Sequence, residues 1–247
     1  MAFDSVVHSK LLHKLKCYGF KGLLMDWIKC FLTNRRQMIR VGSLLSHACN
    51  VISGVPQGSA LGPILFIIYI NDICEITGSV KDDVTFKLFA DDVEAYACIT
   101  NVESARMLQH CLDLICNWAT RWQLKLSPSK CTVLSLGKSH VNTWYHCSVI
   151  VVLPRVNQMT DLGILIDDQL SSSPHIDNVC TKAKQRAALI LNCFYSRKKY
   201  LLIRAFIAYV RLLLEYCCSV WSSSRLGLID KLENIQRRIT WLTPSFV

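Results

Sequence analysis

Apolar side chains recur along this 247-residue chain with two different periods. Residues 9–33 carry them at helical spacing with an interruption at Gly19, which predicts two short helices. Residues 101–122 show the same spacing behind Asn101, a good capping residue, and predict a third helix. Residues 84–99 alternate instead, which predicts a hairpin or a strand–turn–strand.

Weaker patterns fill the intervals between these elements. Residues 36–54 predict a strand pair around a turn, and a helix near Pro63 is apolar nearly all round, so we expect it to be buried. Short apolar runs that we interpret as further strands are 131–136, 148–153 and 162–167. From His175 onward the pattern stays helical. The order predicts an α+β domain in residues 1–167 and an all-α module in residues 168–247.

The charge of the chain is unevenly distributed. Lys and Arg number 28 against 18 Asp and Glu, a net charge of +10. Residues 171–247 alone hold 12 basic and 4 acidic side chains. A nearly neutral first part with a basic tail suggests a polyanionic partner, most commonly nucleic acid. A solvated basic helix surface is an equally good interpretation of the charge alone.

The cysteines and the N-terminal residues indicate the cellular compartment of the protein. The thirteen cysteines form no C-x-x-C motif and no zinc-finger spacing with histidine, and the first twenty residues are charged and mixed. The longest apolar run, residues 61–70, is about half the length that spans a bilayer. We therefore expect reduced, buried thiols without disulfide partners, no membrane insertion, and an intracellular location in cytoplasm or nucleus.

Two adjacent aspartates, Asp91 and Asp92, stand at the centre of an apolar, alternating run. Like charges in contact repel each other, so the pair needs a compensating partner. Mg²⁺ suits them, since it takes carboxylate oxygens and completes its coordination with waters and substrate phosphates. An ordinary polar turn is the alternative, because Asp favours turns.

A loop rich in glycine, SGVPQGSALGP (53–63), precedes the aspartates. Glycines allow the backbone to approach a ligand, and the loop enters a helix whose first N–H groups can act as donors. The loop lacks the Gly-Lys-Ser/Thr ending of a P-loop. Alone it would more often be an ordinary connection, but with the aspartate pair it favours a site that handles nucleotides.

The stretch GVPQGSALGPILFIIYINDI followed by LFADD resembles the reverse transcriptases of non-LTR (LINE-type) retrotransposons. AFDSVVHSKLLHKL resembles the end of that family's first palm motif. Three further stretches resemble the family's later palm and thumb segments: WQLKLSPSKC, DLGILIDDQLSSSPHIDNV and AYVRLLLEYCCSVW. The resemblance covers nearly the whole chain. It implies a right-hand polymerase palm, an antiparallel sheet with helices, followed by an all-α thumb-like module.

The activity that the resemblance implies is RNA-directed DNA polymerisation, a nucleotidyl transfer with two Mg²⁺ (or Mn²⁺) ions. The partners are then an RNA template, a DNA primer and deoxynucleotides. The motif match makes Asp91 and Asp92 the metal-binding catalytic pair and gives Lys130 a role in assisting the leaving pyrophosphate. Residues that match the template and nucleotide pocket are Phe3, the side chain that excludes a ribose 2′-hydroxyl, Gln57 and Gly58.

Basic residues of the thumb-like region are expected to track phosphates without reading sequence. They are Lys182, Lys184, Arg186, Arg197, Lys198, Lys199, Arg237 and Arg238. A structural role is the alternative for two of the predicted site residues: Phe3 suits a core position, and Lys130 suits a solvated surface.

The chain also departs from the family pattern. The family places a metal-binding aspartate five residues before the phenylalanine of AFD, which here is Phe3, so that residue would precede Met1. Asp4 is no substitute, because in a strand its side chain would point away from that of Phe3. Leu212 and Ser222–Ser224 stand where relatives tend to have prolines. We therefore expect an N-terminally truncated copy without fingers that polymerises poorly or not at all; the alternative is a non-catalytic nucleic-acid-binding remnant.

Overall fold

The computed structural model describes residues 2–76, 78, 83–137, 143–147, 151–195 and 198–241. The chain forms two compact units. The first comprises Met1–Cys131 and Ser139–Pro154, and the second comprises Thr132–Lys138 and Arg155–Val247. The predicted boundary after residue 167 lies inside the second unit, and the assignment of a palm and a thumb to the two sides of it stays a prediction.

Helices and strands alternate in the first unit and helices dominate the second, so the mixed helix and strand composition is confirmed. The α-helices are α1 His8–Cys17, α2 Gly22–Leu32, α3 Leu61–Ile70, α4 Ile73–Ile76, α5 Val102–Trp122, α6 Ser173–Cys193, α7 Lys199–Phe206, α8 Leu212–Glu215, α9 Cys218–Trp221 and α10 Leu226–Trp241. A π-helical turn, Ile207–Arg211, joins α7 to α8. Two 3₁₀ turns are Phe3–Ser5 and Pro128–Lys130.

The strands are short and pair two by two in the described part of the chain. They are β1 Arg36–Gln37, β2 Arg40–Val41, β3 Leu44–Leu45, β4 Cys49–Asn50, β5 Thr85–Phe89, β6 Asp92–Tyr96, β7 Val133–Leu134, β8 His146–Cys147, β9 Val151–Val152, β10 Arg155–Val156, β11 Gln158–Asp161 and β12 Ile164–Asp167. The pairs β1–β4, β2–β3, β5–β6, β8–β9 and β11–β12 are antiparallel, whereas β7–β10 is parallel.

The three helices with the clearest periodicity form as predicted. Gly19, at φ +88°, separates α1 from α2 in a conformation that favours glycine. Asn101 caps α5 by accepting a hydrogen bond from the Ser104 amide at 2.8 Å, and the Ser104 hydroxyl closes a capping box. Buried side chains of α1, α3 and α5 make up much of the core of the first unit.

Two expectations about local structure are wrong. The helix α3 is not buried all round: Leu65, Phe66 and Tyr69 face the core, but Ile64 and Ile67 are 52% and 55% exposed. Packing therefore covers one side of this helix, although its composition is apolar on every side. The segment Phe3–Ser5 is a 3₁₀ turn rather than a strand, so the strand argument about Asp4 does not apply.

The cysteines are less buried than predicted. All thirteen are free thiols, but eight are exposed and only Cys111, Cys147 and Cys180 are fully buried. Burial raises the pKa of the Cys147 thiol to about 12, with further contributions from Cys116, whose Sγ lies 3.4 Å away, and Cys131. Cysteine is apolar enough for a core but small enough to be tolerated at a surface, so its burial does not follow from its type.

The second unit has its own core around α6. Ile176 and Ala183 of α6 are fully buried with Val210 and Trp221. His175 Nδ1 accepts a hydrogen bond from the Leu165 amide at 3.0 Å, which ties α6 to β12. Residues 148–150 of the predicted strand 148–153 lie outside the described residues, and Val151–Val152 form β9. None of the helices described is both long and apolar enough to cross a bilayer.

Candidate active site

The aspartate pair lies at the tip of a tight antiparallel hairpin, as predicted. Strands β5 and β6 pair in a register that sets Phe89 opposite Asp92. The turn therefore consists of two residues, Ala90 and Asp91, and Ala90 adopts φ +51°. The favoured two-residue hairpin turns have positive φ at the first central position, because this geometry matches the right-handed twist of the strands. Asp91 thus occupies the turn and Asp92 begins β6.

The two faces of this hairpin have different environments. Phe86, Leu88 and Ala95 pack against the core of the first unit. Because residues paired across the strands share a face, Phe89 and Asp92 project together from the opposite face, where Phe89 is 64% exposed. Core packing of one face fixes the register, since a slip by one residue would turn the apolar side chains to solvent. The packed strands therefore fix the position of the backbone that carries the two aspartates.

The carboxylates of Asp91 and Asp92 are exposed and have no hydrogen-bond or ion-pair partner among the described residues. Two uncompensated carboxylates on consecutive residues supply the hard oxygen ligands that Mg²⁺ and Mn²⁺ prefer. The donor set therefore fits a divalent ion. Within the described ranges, no three His, Cys, Asp or Glu side chains group closely enough to hold a metal.

The glycine loop is fastened to the N-terminal segment by backbone hydrogen bonds. The Gly54 amide donates to the Val6 carbonyl at 2.8 Å, and the Val55 amide donates to the Phe3 carbonyl at 3.0 Å. The Gly54 carbonyl lies 2.8 Å from Nε2 of the buried His8. A Cβ on Gly54 would come within 2.8 Å of Asp4 Cα, and Gly54 has φ +87°. Only glycine fits this position without movement of the backbone.

Side chains reinforce the same junction. Gln57 Nε2 donates to Asp4 Oδ1 at 2.9 Å, and Ser53 Oγ donates to the Asp4 carbonyl at 2.9 Å. The sequence analysis considered Asp4 only as a substitute for the metal-binding aspartate and rejected it. It missed this role, because the partners are about fifty residues apart. The predicted pocket residues Phe3 and Gln57 are thereby connected to one another through the Phe3–Ser5 turn.

The rest of the loop is shaped for entry into α3. Ser59 Oγ donates to the Pro56 carbonyl at 2.7 Å and accepts a hydrogen bond from the Gly62 amide at 3.0 Å. A Cβ on Gly62 would lie 2.5 Å from the Pro56 oxygen, so this turn also needs glycine. Gly58, by contrast, has φ +78° with open space around it. The loop is therefore closely packed at its base and accessible at Gly58.

Phe3 and Lys130 differ in how firmly they are held. The Phe3 ring stacks on Phe66 of α3 with centroids 4.2 Å apart and planes inclined by 16°. Lys130 is exposed at the end of the Pro128–Lys130 turn. No hydrogen bond or ion pair among the described residues joins Lys130, the aspartate pair and the glycine loop directly. The hydrogen bonds described thus connect Gln57 with the turn that carries Phe3, and none of them connects Lys130 or the aspartate pair to that junction.

A buried lysine of α1 was missed by the sequence analysis. Lys14 of α1 is only 5% exposed; its ammonium group donates to the Tyr69 carbonyl and lies 2.5 Å from Asp72 Oδ1 and 3.7 Å from the centroid of Trp122. Trp118 Nε1 also donates to Asp72 Oδ1, at 3.0 Å. Burial lowers the pKa of Lys14, and the Asp72 carboxylate opposes that change. The cluster ties α1, the end of α3 and α5 together.

The basic residues of the second unit are partly described. Lys182, Lys184 and Arg186 are exposed on α6, where Lys182 and Arg186 are four residues apart and share a face. Lys198 precedes α7, which Lys199 begins. Arg237 is exposed on α10. Arg197 and the side chain of Arg238 lie outside the described residues.

Comparison with known proteins identifies related sequences. Residues 1–185 match the family described as reverse transcriptase (RNA-dependent DNA polymerase). The chain is 28% identical over 245 residues to the probable RNA-directed DNA polymerase from transposon X-element of Drosophila melanogaster, covering 98% of this chain and 27% of the relative. It is 31% identical over 183 residues to the RNA-directed DNA polymerase from mobile element jockey of the same organism, covering 72% of this chain and 20% of the relative. The chain therefore spans about a quarter of the length of these relatives.

Proposed function

We propose that this chain, which belongs to the reverse transcriptase family and is similar to the polymerases of LINE-type retrotransposons, contributes the catalytic aspartate hairpin of an RNA-directed DNA polymerase. The observation that carries the proposal is the tight hairpin that packs one face against the core and exposes Asp91 and Asp92 at its tip, without a partner among the described residues. The proposed partners are an RNA template, a DNA primer and deoxynucleotides, in the cytoplasm or the nucleus.

Each predicted residue has a proposed task in this reaction. Asp91 and Asp92 would hold the divalent ion, which supplies positive charge to the attacking and leaving oxygens when it is bound. Gln57 and Gly58 would line the pocket for template and incoming nucleotide, with Phe3 held against Phe66 to exclude a ribose 2′-hydroxyl. The exposed ammonium of Lys130 would neutralise charge on the leaving pyrophosphate.

We further propose that residues 1–167 act as a palm and residues 168–247 as a thumb. The exposed basic side chains of the second unit support the thumb, because lysine and arginine attract phosphates without regard to sequence. Reversing Lys198 and Lys199 to glutamate should weaken binding of an RNA–DNA duplex and flatten its dependence on salt. Fluorescence anisotropy across a series of salt concentrations measures both quantities, and binding that ignores ionic strength would contradict the proposed thumb.

Metal binding tests the aspartate pair independently of catalysis. Titration of the chain with Mn²⁺, followed by electron paramagnetic resonance, should show a site that is lost in Asp91→Asn and Asp92→Asn. Asp83→Asn is the matched control, since Asp83 is an exposed acid outside the hairpin. Equal Mn²⁺ affinity in all three variants would show that the hairpin carries no metal site.

Primer extension on an RNA template tests the polymerase activity itself. We expect deoxynucleotide incorporation by this chain to be weak, to be abolished by Asp91→Asn and to be kept in Asp83→Asn. Phe3→Val should lower the preference for deoxynucleotides over ribonucleotides. Duplex binding with no incorporation in any variant would instead support the second candidate, a non-catalytic protein that binds RNA and DNA.

A further inference from the structure

Residues 35–50 form a second two-stranded ribbon, here called the arginine ribbon. Strands β1 and β4 pair at its base and β2 and β3 pair at its tip, where Gly42 has φ +61°. Hydrogen bonds between Ile39 and Ser46, two of 2.9 Å, connect the two pairs into one structure. At the usual rise of about 3.3 Å per residue, the ribbon is roughly 20 Å long.

Every strand residue of the arginine ribbon is exposed. A two-stranded ribbon without a packed face has little stability of its own in water. Large apolar side chains are nevertheless present near its tip, and Leu44 is 75% exposed. Exposed apolar groups together on a structure with no buried face are typical of a surface that meets a partner.

The arginine ribbon and the sequence on either side of it carry charge of one sign. Between Asp26 and Asp72 the sequence contains no acidic residue, while Arg35, Arg36 and Arg40 lie on the ribbon. Arg40 Nε donates to the Gly42 carbonyl at 3.0 Å, which holds that guanidinium beside the turn. A ribbon that carries arginines and no acidic residue is complementary to a polyanion, and arginine binds phosphate oxygens especially well.

We propose that the arginine ribbon docks on the RNA–DNA duplex, with Arg36 and Arg40 against the phosphates and the apolar tip against sugars and base edges. An RNA–DNA duplex has A-form geometry, and its minor groove is wide and shallow and displays sugars and base edges. A two-stranded ribbon can lie along this groove and place its apolar tip against the sugars. This inference rests on the proposed function, because the duplex is the nucleic acid of that reaction. It adds a contact surface in the first unit to the basic residues proposed for the thumb.

The test measures duplex affinity as a function of salt. Reversal of both arginines in R36E/R40E should raise Kd roughly tenfold and reduce the slope of log Kd against log salt by about two. The matched control is K21E/K125E, which changes the net charge equally at exposed lysines of the first unit outside the ribbon. The control should keep the wild-type slope, and circular dichroism checks that both variants are folded.

A second readout does not depend on charge reversal. A photo-crosslinking residue replacing Ser43, at the tip of the ribbon, should crosslink to the duplex, whereas the same residue replacing Lys125 should not. A crosslink from position 43 to a second copy of the chain, with none to nucleic acid, would make the ribbon a self-association surface and overturn the inference.

The outcomes separate the two proposals. If the wild-type chain binds duplex, R36E/R40E binds like K21E/K125E and position 43 gives no crosslink, the ribbon inference is wrong and the proposed function stands. If the wild-type chain does not bind duplex at all, both the nucleic-acid partner and the ribbon inference are wrong.

Discussion

The β5–β6 hairpin and the arginine ribbon have the same basic construction but different burial. Both are antiparallel and end in a turn with positive φ at Ala90 or Gly42. The hairpin packs Phe86 and Leu88 against the core, whereas every strand residue of the ribbon is exposed. A site that must hold a metal ion requires fixed atoms, which a packed face supplies. A surface that contacts phosphates and sugars along a duplex does not need that support.

The largest expected difference is in stability. Phe86→Ala in the hairpin should lower the free energy of unfolding by about 2 kcal/mol, because it removes a ring packed against the core. Val41→Ala on the ribbon should change it by less than about 0.5 kcal/mol, since Val41 is exposed on a ribbon with no packed face. Urea denaturation of the two variants measures the contrast. Equal losses would show that the ribbon is packed in solution and would remove the distinction.

The two turns should respond in opposite directions to exchange of alanine and glycine. Ala90→Gly should stabilise the hairpin by up to about 1 kcal/mol, because glycine adopts positive φ without strain. Gly42→Ala should destabilise the ribbon by about 1 kcal/mol for the same reason. Hydrogen exchange of the amides flanking each turn reports the local effect. A loss of protection in Ala90→Gly would mean that strain at Ala90 is absent.

The smallest effect concerns thiol reactivity. Cys49 lies on the exposed ribbon, whereas Cys147 is buried and its pKa of about 12 keeps it protonated at pH 8. Iodoacetamide reacts with the thiolate, so Cys49 should be alkylated and Cys147 should not until the pH approaches 12. Added RNA–DNA duplex should slow alkylation of Cys49 several-fold and leave the exposed Cys17 of α1 unchanged. Mass spectrometry of the labelled peptides gives both rates, and equal slowing at both cysteines would indicate a nonspecific effect.

Sequence patterns predicted the elements better than their surroundings. Alternation around Asp91 and Asp92 placed the hairpin, and the glycine content of residues 53–63 identified the loop, because both signals are local. The junction of Asp4 with Gln57 was not predictable, since it joins segments separated by 53 residues. The buried Lys14 was missed for a similar reason: its partner Asp72 and the aromatic rings around it come from distant helices.

Burial was the property that the sequence misjudged most. An apolar composition predicted that α3 would be enclosed, but Ile64 and Ile67 remain exposed. Paired strands in residues 36–54 were predicted, but the structure divides them into four two-residue strands that end at Asn50. Their exposure was not predicted. The type of a side chain gives its tendency to be buried. Whether it is buried depends on which neighbouring elements pack against it.

The hydrogen bond from Gln57 to Asp4 has a consequence for sequence change. Two residues that share one hydrogen bond do not vary independently, and the effect of replacing one depends on the identity of the other. Asn at position 4 keeps an acceptor for the Gln57 amide, whereas Ala removes it. Without that acceptor, the hydrogen bond from position 4 no longer orients the Gln57 side chain. Libraries that vary the proposed nucleotide pocket should therefore randomise positions 4 and 57 together, because single substitutions do not sample the compatible pairs.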